Sequence, residues 1–248
     1  MNEPARDGHL DETRRYYDDF ARRYDDQRGG RVPGGYHDLI DELELGFLER
    51  FARGRSVLEV GCGTGLLLER MLHFAEKAKG VDLSPGMLAR ARERGLDVVE
   101  GSATELPFES DTFDVACSFK VLAHVRDIRQ ALGEMVRVVR PGGVVVAEFY
   151  NSYSLRTLVK RFGPAGAIAE GRDEGEVYTR FDTPDTVRAI LPTASRIVDR
   201  RGVRIVTPAA AALRLPAIGP LLVAAERFLC DSPLADYGGF WIAAIKKD

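Results

Sequence analysis

The stretch from Val57 to Met71, VLEVGCGTGLLLERM, sets three glycines within five positions, between an apolar run and a helical pattern. A glycine has no side chain, so a strand can turn sharply there and start a helix at once, with its backbone open to close approach. Such a junction restricts the chain to architectures in which strands alternate with helices. The rest of the pattern agrees. Short β-branched runs predict strands at Ser56–Val60, Lys79–Asp82, Asp97–Glu100, Phe113–Ser118 and Val144–Phe149. Longer periods predict helices at Gly65–Ala75, Pro85–Arg94 and Ile128–Val139, the last ended by a Pro141-Gly142-Gly143 turn. The expected fold is α/β, a doubly wound and mostly parallel sheet that binds its ligand at the carboxyl ends of the strands.

Further elements flank this core. At the front, Tyr16–Asp26 and Asp38–Arg53 read as helices, the second with Leu39, Ile40, Leu43, Phe47, Leu48 and Phe51 at helical spacing. Tyr150–Arg180 has mixed polarity and several glycines and reads as an insertion. A short helix follows it, which Thr183-Pro184-Asp185 starts with an N-cap and a first-turn proline. SRIVDRRGVRIV and the terminal GGFWIAAIKK read as two more strands. Between them lies the longest apolar stretch, Pro208–Leu229, in which Arg214, Pro216 and Pro220 disfavour a lipid-embedded helix. It reads as a broken helical cap over an apolar cavity. The expected organisation is a lid and entry helix at 1–53, a ligand-binding core at 54–149, a cap insertion at 150–190, and core completion at 191–248 with an apolar insertion at 208–229.

Composition removes several classes of function. With 248 residues, 45% of them hydrophobic, the chain can bury the core of one large domain. Its net charge of -3 offers no excess of cations for a phosphate backbone, so nucleic acid is not an expected partner. Cys62, Cys117 and Cys230 are too widely spaced for a CxxC metal framework and argue against a disulfide scaffold, so no metal is expected and a reducing cytoplasm fits. The polar, acidic start MNEPARDGHLDETRRYYDDF reads as neither a secretory signal nor a membrane span.

The glycine turn and Asp82 together point to a ligand containing a nucleoside, because a carboxylate ending the second strand can accept from both ribose hydroxyls. Dinucleotide enzymes share that much. Here, however, the glycines follow GxGxG, and Leu66 stands where the dinucleotide fingerprint places its third glycine. Glu59, two residues before Gly61, would repel a pyrophosphate but suits the ammonium end of a zwitterion.

With VLEVGCGTG, GVDLSPGMLARAR, LPFESDTFDV and LGEMVRVVRPGG in one chain, the sequence resembles the class I S-adenosylmethionine-dependent methyltransferases, in particular the small-molecule group that includes quinone methyltransferases. The motifs span Tyr16 to Phe149. The resemblance implies a Rossmann-like, seven-stranded sheet with an antiparallel last strand, and S-adenosylmethionine as cofactor with S-adenosylhomocysteine as product. By position, Glu59, Gly61, Cys62, Gly63 and Gly65 would hold the cofactor's amino-acid end, and Asp82 its ribose. Leu83 and Met87 would pack on the adenine, with Ser102 and Ala103 beside its amino group; Ser102 stands where the family commonly has Asp. Phe119 and Lys120 would face the reactive end, and Tyr16, Phe20 and Tyr24 resemble a helix that closes over the cofactor. His124, in LAHV, is read either as the general base or as a structural histidine bonded to backbone.

The expected function is methyl transfer to a small apolar or aromatic molecule, at oxygen first and carbon next. No Asn/Asp-Pro-Pro-Tyr/Phe follows Ser118, which disfavours a flipped base as substrate. The alternatives are an NAD(P)-dependent oxidoreductase on a related sheet and a non-catalytic S-adenosylmethionine-binding protein. They differ in which ligand binds and whether a methyl group moves.

Overall fold

The computed structural model describes residues 14–18, 21, 24, 25, 35–154 and 178–248. Helix α1 (Tyr36–Ala52) is followed by β1 (Ser56–Val60), α2 (Leu66–Met71), β2 (Lys77–Asp82), α3 (Pro85–Glu93), β3 (Val98–Glu100) and β4 (Phe113–Ser118). Then come α4 (Ile128–Val138), β5 (Val139–Tyr150), α5 (Pro184–Ala189), β6 (Ser195–Val203), α6 (Ile218–Leu229) and β7 (Phe240–Lys247). The strands make one sheet in the order β3-β2-β1-β4-β5-β7-β6. β1 to β5 pair in parallel, and β7 runs antiparallel to both of its neighbours. The strand order reverses between β1 and β4, so the crevice beyond their carboxyl ends is the switch point where such sheets hold ligands.

Both faces of the sheet are covered, which is why its central strands read as unbroken apolar runs. In β5, Val144 and Val146 enter a core with Phe47, Leu48, Leu68 and Met71, while Val145 and Ala147 enter the opposite one with Leu132, Met135 and Trp241. Local chemistry sets the helix starts. Ser84 accepts from the Met87 N–H at 3.1 Å with Pro85 in the first turn of α3, and Asp127 accepts from the Gln130 N–H at 3.1 Å to begin α4. Thr183 and Thr186 cap α5 reciprocally, as the Thr-Pro-Asp sequence suggests.

Two boundaries differ from the sequence expectation. Helix α2 ends at Met71, not Ala75, because Phe74 and Ala75 both donate to the Met71 carbonyl and turn the chain back towards β2, which begins at Lys77. Pro141-Gly142-Gly143 does not form a separate turn after α4 but lies within β5. Phe113 pairs with Val139 and Val115 with Val144, so the extra residues of β5 bulge out, and Gly142 absorbs the distortion at φ +79°. Residues 155–177 of the expected insertion, and Phe20, lie outside the described residues.

The apolar segment after β6 is broken as expected, into a 3-10 helix at Ala210–Arg214 and then α6. A cavity of only about 10 Å³, lined by Tyr36, Ile40, Leu43, Val203 and Glu226 among others, lies between it and α1. That is room for about one water, not a ligand. Much of the helix's apolar surface faces outward, with Leu221 71% and Phe228 83% exposed. Polar groups anchor it: Arg227 pairs with Glu42 of α1, and buried Glu226 accepts the N–H groups of Ile205, Val206 and Thr207 at 2.8–2.9 Å. No helix among the described residues is long and apolar enough to cross a membrane. Removing the anchor leaves three backbone donors without their acceptor, so Glu226→Ala is expected to destabilise the protein by roughly 2–5 kcal/mol in a urea titration. A loss below that range would show that water replaces the carboxylate.

Candidate active site

The turn after β1 is built for close approach. Gly61 sits at φ +78° and Gly65 at φ +82°, backbone conformations that side-chain-bearing residues rarely adopt. A Cβ at Gly61 would lie 2.3 Å from a Val121 methyl, and one at Gly65 would lie 2.2 Å from a Leu96 methyl. The turn is also hydrogen-bonded to the end of β2. Gly61 and Cys62 donate to the Val81 carbonyl at 2.7 and 3.1 Å, and Gly63 donates to Asp82 Oδ2 at 2.8 Å. Gly65 donates back to Cys62 at 2.9 Å. These four amides already have acceptors inside the protein, so they do not make the open nest of donors that a pyrophosphate needs. Cys62 is a packed thiol whose pKa is pushed far up, first by burial and then by the Glu59 and Asp82 carboxylates.

Two carboxylates flank the turn. Asp82 also accepts the Ser84 N–H on Oδ1 at 2.9 Å; burial raises its pKa, against the pull of its backbone donors. Glu59 is buried in β1 with Oε2 unpartnered, and burial holds its pKa well above the ordinary carboxylate range although Lys120 pulls the other way. An orphaned buried carboxylate oxygen beside a glycine cradle fits the cationic end of a zwitterionic cofactor, and it does not fit an added anion.

The described N-terminal residues dock at this end of the sheet, Asp18 on the start of α3 and Asp25 on the turn. Asp18 Oδ1 accepts the Ser84 hydroxyl at 2.5 Å and the Gly86 N–H at 2.8 Å. Asp25 accepts the Thr64 hydroxyl at 2.7 Å and pairs with Arg94. Tyr16 and Tyr17 pack edge to face at 5.2 Å between ring centres. The Tyr17 phenol is pushed far up by burial, with smaller contributions from Tyr24, Tyr16 and Asp82, which sets it within electrostatic reach of Asp82. On the neighbouring side Met87 is buried and Leu83 half-buried. The Ser102 hydroxyl is engaged within its own loop, 2.9 Å from Thr104 Oγ1, and Ala103 packs on the core shared with β4 and α4.

The loop after β4 closes the site. Phe119 is buried, and Lys120 stands in the left-handed region at φ +60°, which costs a residue with a side chain about 1–2 kcal/mol. Its ammonium pairs with Glu44 at 2.7 Å and Asp41 at 3.1 Å on α1. Its N–H donates to Glu148 of β5 at 3.0 Å. His124 ends a 3-10 helix at Leu122–His124, with Nδ1 3.0 Å from the Tyr178 carbonyl and its ring edge-on to Tyr150 at 5.9 Å. Burial lowers its pKa.

The structure therefore brings Glu59, the glycines, Asp82, Phe119, Lys120 and His124 to one end of the sheet. Sequence reasoning missed Asp18, Asp25, Glu44, Glu148 and Tyr150. Ser-Pro-Gly at 84–86 was a readable cue for the helix start that receives Asp18, whereas nothing local marks Glu44 as facing β5. Among the described residues no group of three or more His, Cys, Asp or Glu could hold a metal ion.

Comparison with known proteins supplies independent findings. A family model described as a methyltransferase domain matches residues 58–147. The demethylmenaquinone methyltransferase of Renibacterium salmoninarum is 31% identical over 182 residues, covering 64% of this chain and 72% of that protein. The phthiotriol/phenolphthiotriol dimycocerosates methyltransferase of Mycobacterium tuberculosis is 37% identical over 115 residues, 44% of this chain and 40% of that one. Among solved structures, a SAM-dependent methyltransferase of Thermotoga maritima, described as a possible histamine N-methyltransferase, aligns with a TM-score of 0.69 at 19% identity over 94% of this chain and 98% of its own.

Burial without a neighbouring carboxylate implies that the His124 imidazole titrates below its ordinary value of 6.5. An NMR pH titration should place its midpoint there, and a midpoint above that value would contradict the environment described.

Proposed function

Because this chain belongs to the class I S-adenosylmethionine-dependent methyltransferases, in the group that includes the quinone methyltransferases, we propose that it methylates a hydroxyl of a small aromatic or prenylated molecule, with His124 as general base. The observation that carries the base assignment is the contact between His124 Nδ1 and the Tyr178 carbonyl. A carbonyl only accepts, so Nδ1 carries the proton and Nε2 keeps the lone pair. Burial favours that neutral form, leaving the ring ready to take a proton at neutral pH. The substrate class is supported by relatives named for demethylmenaquinone and for phthiotriol and phenolphthiotriol dimycocerosates.

The bound cofactor supplies a methyl group made electrophilic by its sulfonium. The chain's own residues then have three tasks. Glu59 would face the ammonium, with open space beside Gly63 permitting close approach and Gly61 and Gly65 seating the turn against Val121 and Leu96. Asp82 would hold the ribose hydroxyls, with Leu83 and Met87 against the adenine and Ser102 and Ala103 at its edge. The N-terminal residues around Tyr16, Tyr17 and Tyr24, held down through Asp18 and Asp25, would exclude water. Alignment of acceptor and donor, not covalent catalysis, then accounts for the rate.

Methyl transfer from labelled S-adenosylmethionine to a panel of phenols and quinols, with the product's methylated atom identified, tests the reading directly. Asp82→Ala is expected to weaken S-adenosylmethionine binding roughly 10–100-fold by calorimetry, as losing hydrogen bonds to a charged group implies. His124→Ala should lower kcat roughly 10²–10⁴-fold with the cofactor Kd unchanged. Tight NADH binding, or full activity of His124→Ala, would overturn the reading.

A further inference from the structure

Glu44 on α1 and Glu148 on β5 are both buried, and each uses one carboxyl oxygen on the same residue. Glu44 Oε2 accepts from the Lys120 ammonium at 2.7 Å, and Glu148 Oε1 accepts from the Lys120 N–H at 3.0 Å. Each then has one oxygen left, Glu44 Oε1 and Glu148 Oε2, and neither has a partner. Both carboxyl groups converge on Lys120 and lie within electrostatic reach of each other, and two carboxylates can bond to one another only with a proton between them. One proton satisfies both orphaned oxygens at once.

We propose that Glu44 and Glu148 share this proton in the working enzyme, and that the pair, through Lys120, is a positioning device for the loop that carries His124. The inference rests on the reading of His124 as base. Lys120 is the point of leverage. Its left-handed turn is held from the backbone side by Glu148 and from the side-chain side by Glu44 and Asp41. The next residue, Val121, packs on Gly61 of the glycine turn, and His124 donates its N–H back to the Val121 carbonyl at 2.8 Å. The acid pair thus sets both the fit of the loop to the cofactor's turn and the place of the base.

The groups around the pair oppose a second negative charge. Asp41 and Glu44 come from α1, Glu59 from β1 and Tyr150 from β5, with Lys120 as the nearby cation. Burial and then the Glu44 carboxyl hold Glu148 well above the ordinary range, so the shared proton stays on to higher pH than on a free carboxyl and is lost as pH rises further. When it leaves, two buried anions face each other, Lys120 is pulled out of place and His124 moves with it. Activity therefore rises with pH as His124 loses its own proton, then falls as the pair loses the shared one.

The test compares wild type with Glu148→Gln, Glu148→Ala and Glu44→Gln. Wild-type-minus-variant infrared difference spectra at neutral pH should show one buried, protonated carboxyl band for each Gln variant, any Glu59 band cancelling in the subtraction. In methyl-transfer assays at saturating cofactor, Glu148→Ala should lose roughly 10–100-fold in kcat, the scale of a misplaced catalytic group. Glu148→Gln, whose amide accepts from Lys120 and donates to Glu44 at every pH, should recover most of that loss and abolish the alkaline limb. An absent infrared band, or an alkaline limb that survives in Glu148→Gln, overturns the proposal. The infrared measurement needs no substrate, so failure of every acceptor in the panel counts against the proposed function and not against the pair.

Discussion

The joint between the turn after β1 and the end of β2 is the contact on which the site depends. Gly61 and Cys62 share the Val81 carbonyl, and Gly63 takes one oxygen of Asp82. The bonds place a carboxylate aimed by backbone donors next to a turn that only glycine can make without strain. They also explain how one sheet end can hold a cation. With those amides already bonded, a phosphate would find few free donors there, and the buried Glu59 and Asp82 carboxyl groups would oppose a further anion.

Around that joint the molecule concentrates buried acids to an unusual degree. Glu44, Glu59 and Glu148 are all buried, and Lys120 is the cation that reaches Glu44 and Asp41 directly. Burying several carboxylates costs stability unless they are paired, protonated or faced by a ligand charge. Glu44 and Glu148 meet that requirement at Lys120, whereas Glu59 Oε2 is left without a partner in the protein. The apolar anchoring elsewhere is conventional by contrast, with the two faces of the sheet filled by alternating residues of β5.

The described N-terminal residues are fastened to this end of the sheet through two acidic side chains. Asp18 on the start of α3 and Asp25 on Thr64 and Arg94 fasten them at two points. Charge-assisted bonds at a helix start are directional, and they can be broken without unpacking the core.

The sequence by itself determined the order of strands and helices, the position of the glycine turn and the acid that follows the second strand. Those features are written in neighbouring residues, through hydrophobic period, caps and the absence of a Cβ. It also carried Glu59, Asp82 and His124 as candidates, since each sits at a fixed offset from a strand end. What only the tertiary structure decided was who faces whom. Lys120, read from its place after β4 as a ligand contact, turns its ammonium to two acids of α1, 76 and 79 positions away in the chain. The β5 bulge at Gly142 and the outward apolar face of α6 likewise depend on register and on neighbouring elements, not on local pattern. A periodic pattern specifies which face of an element is apolar, but the partner of a buried charge is set by packing between segments remote in sequence, and no local signal encodes it.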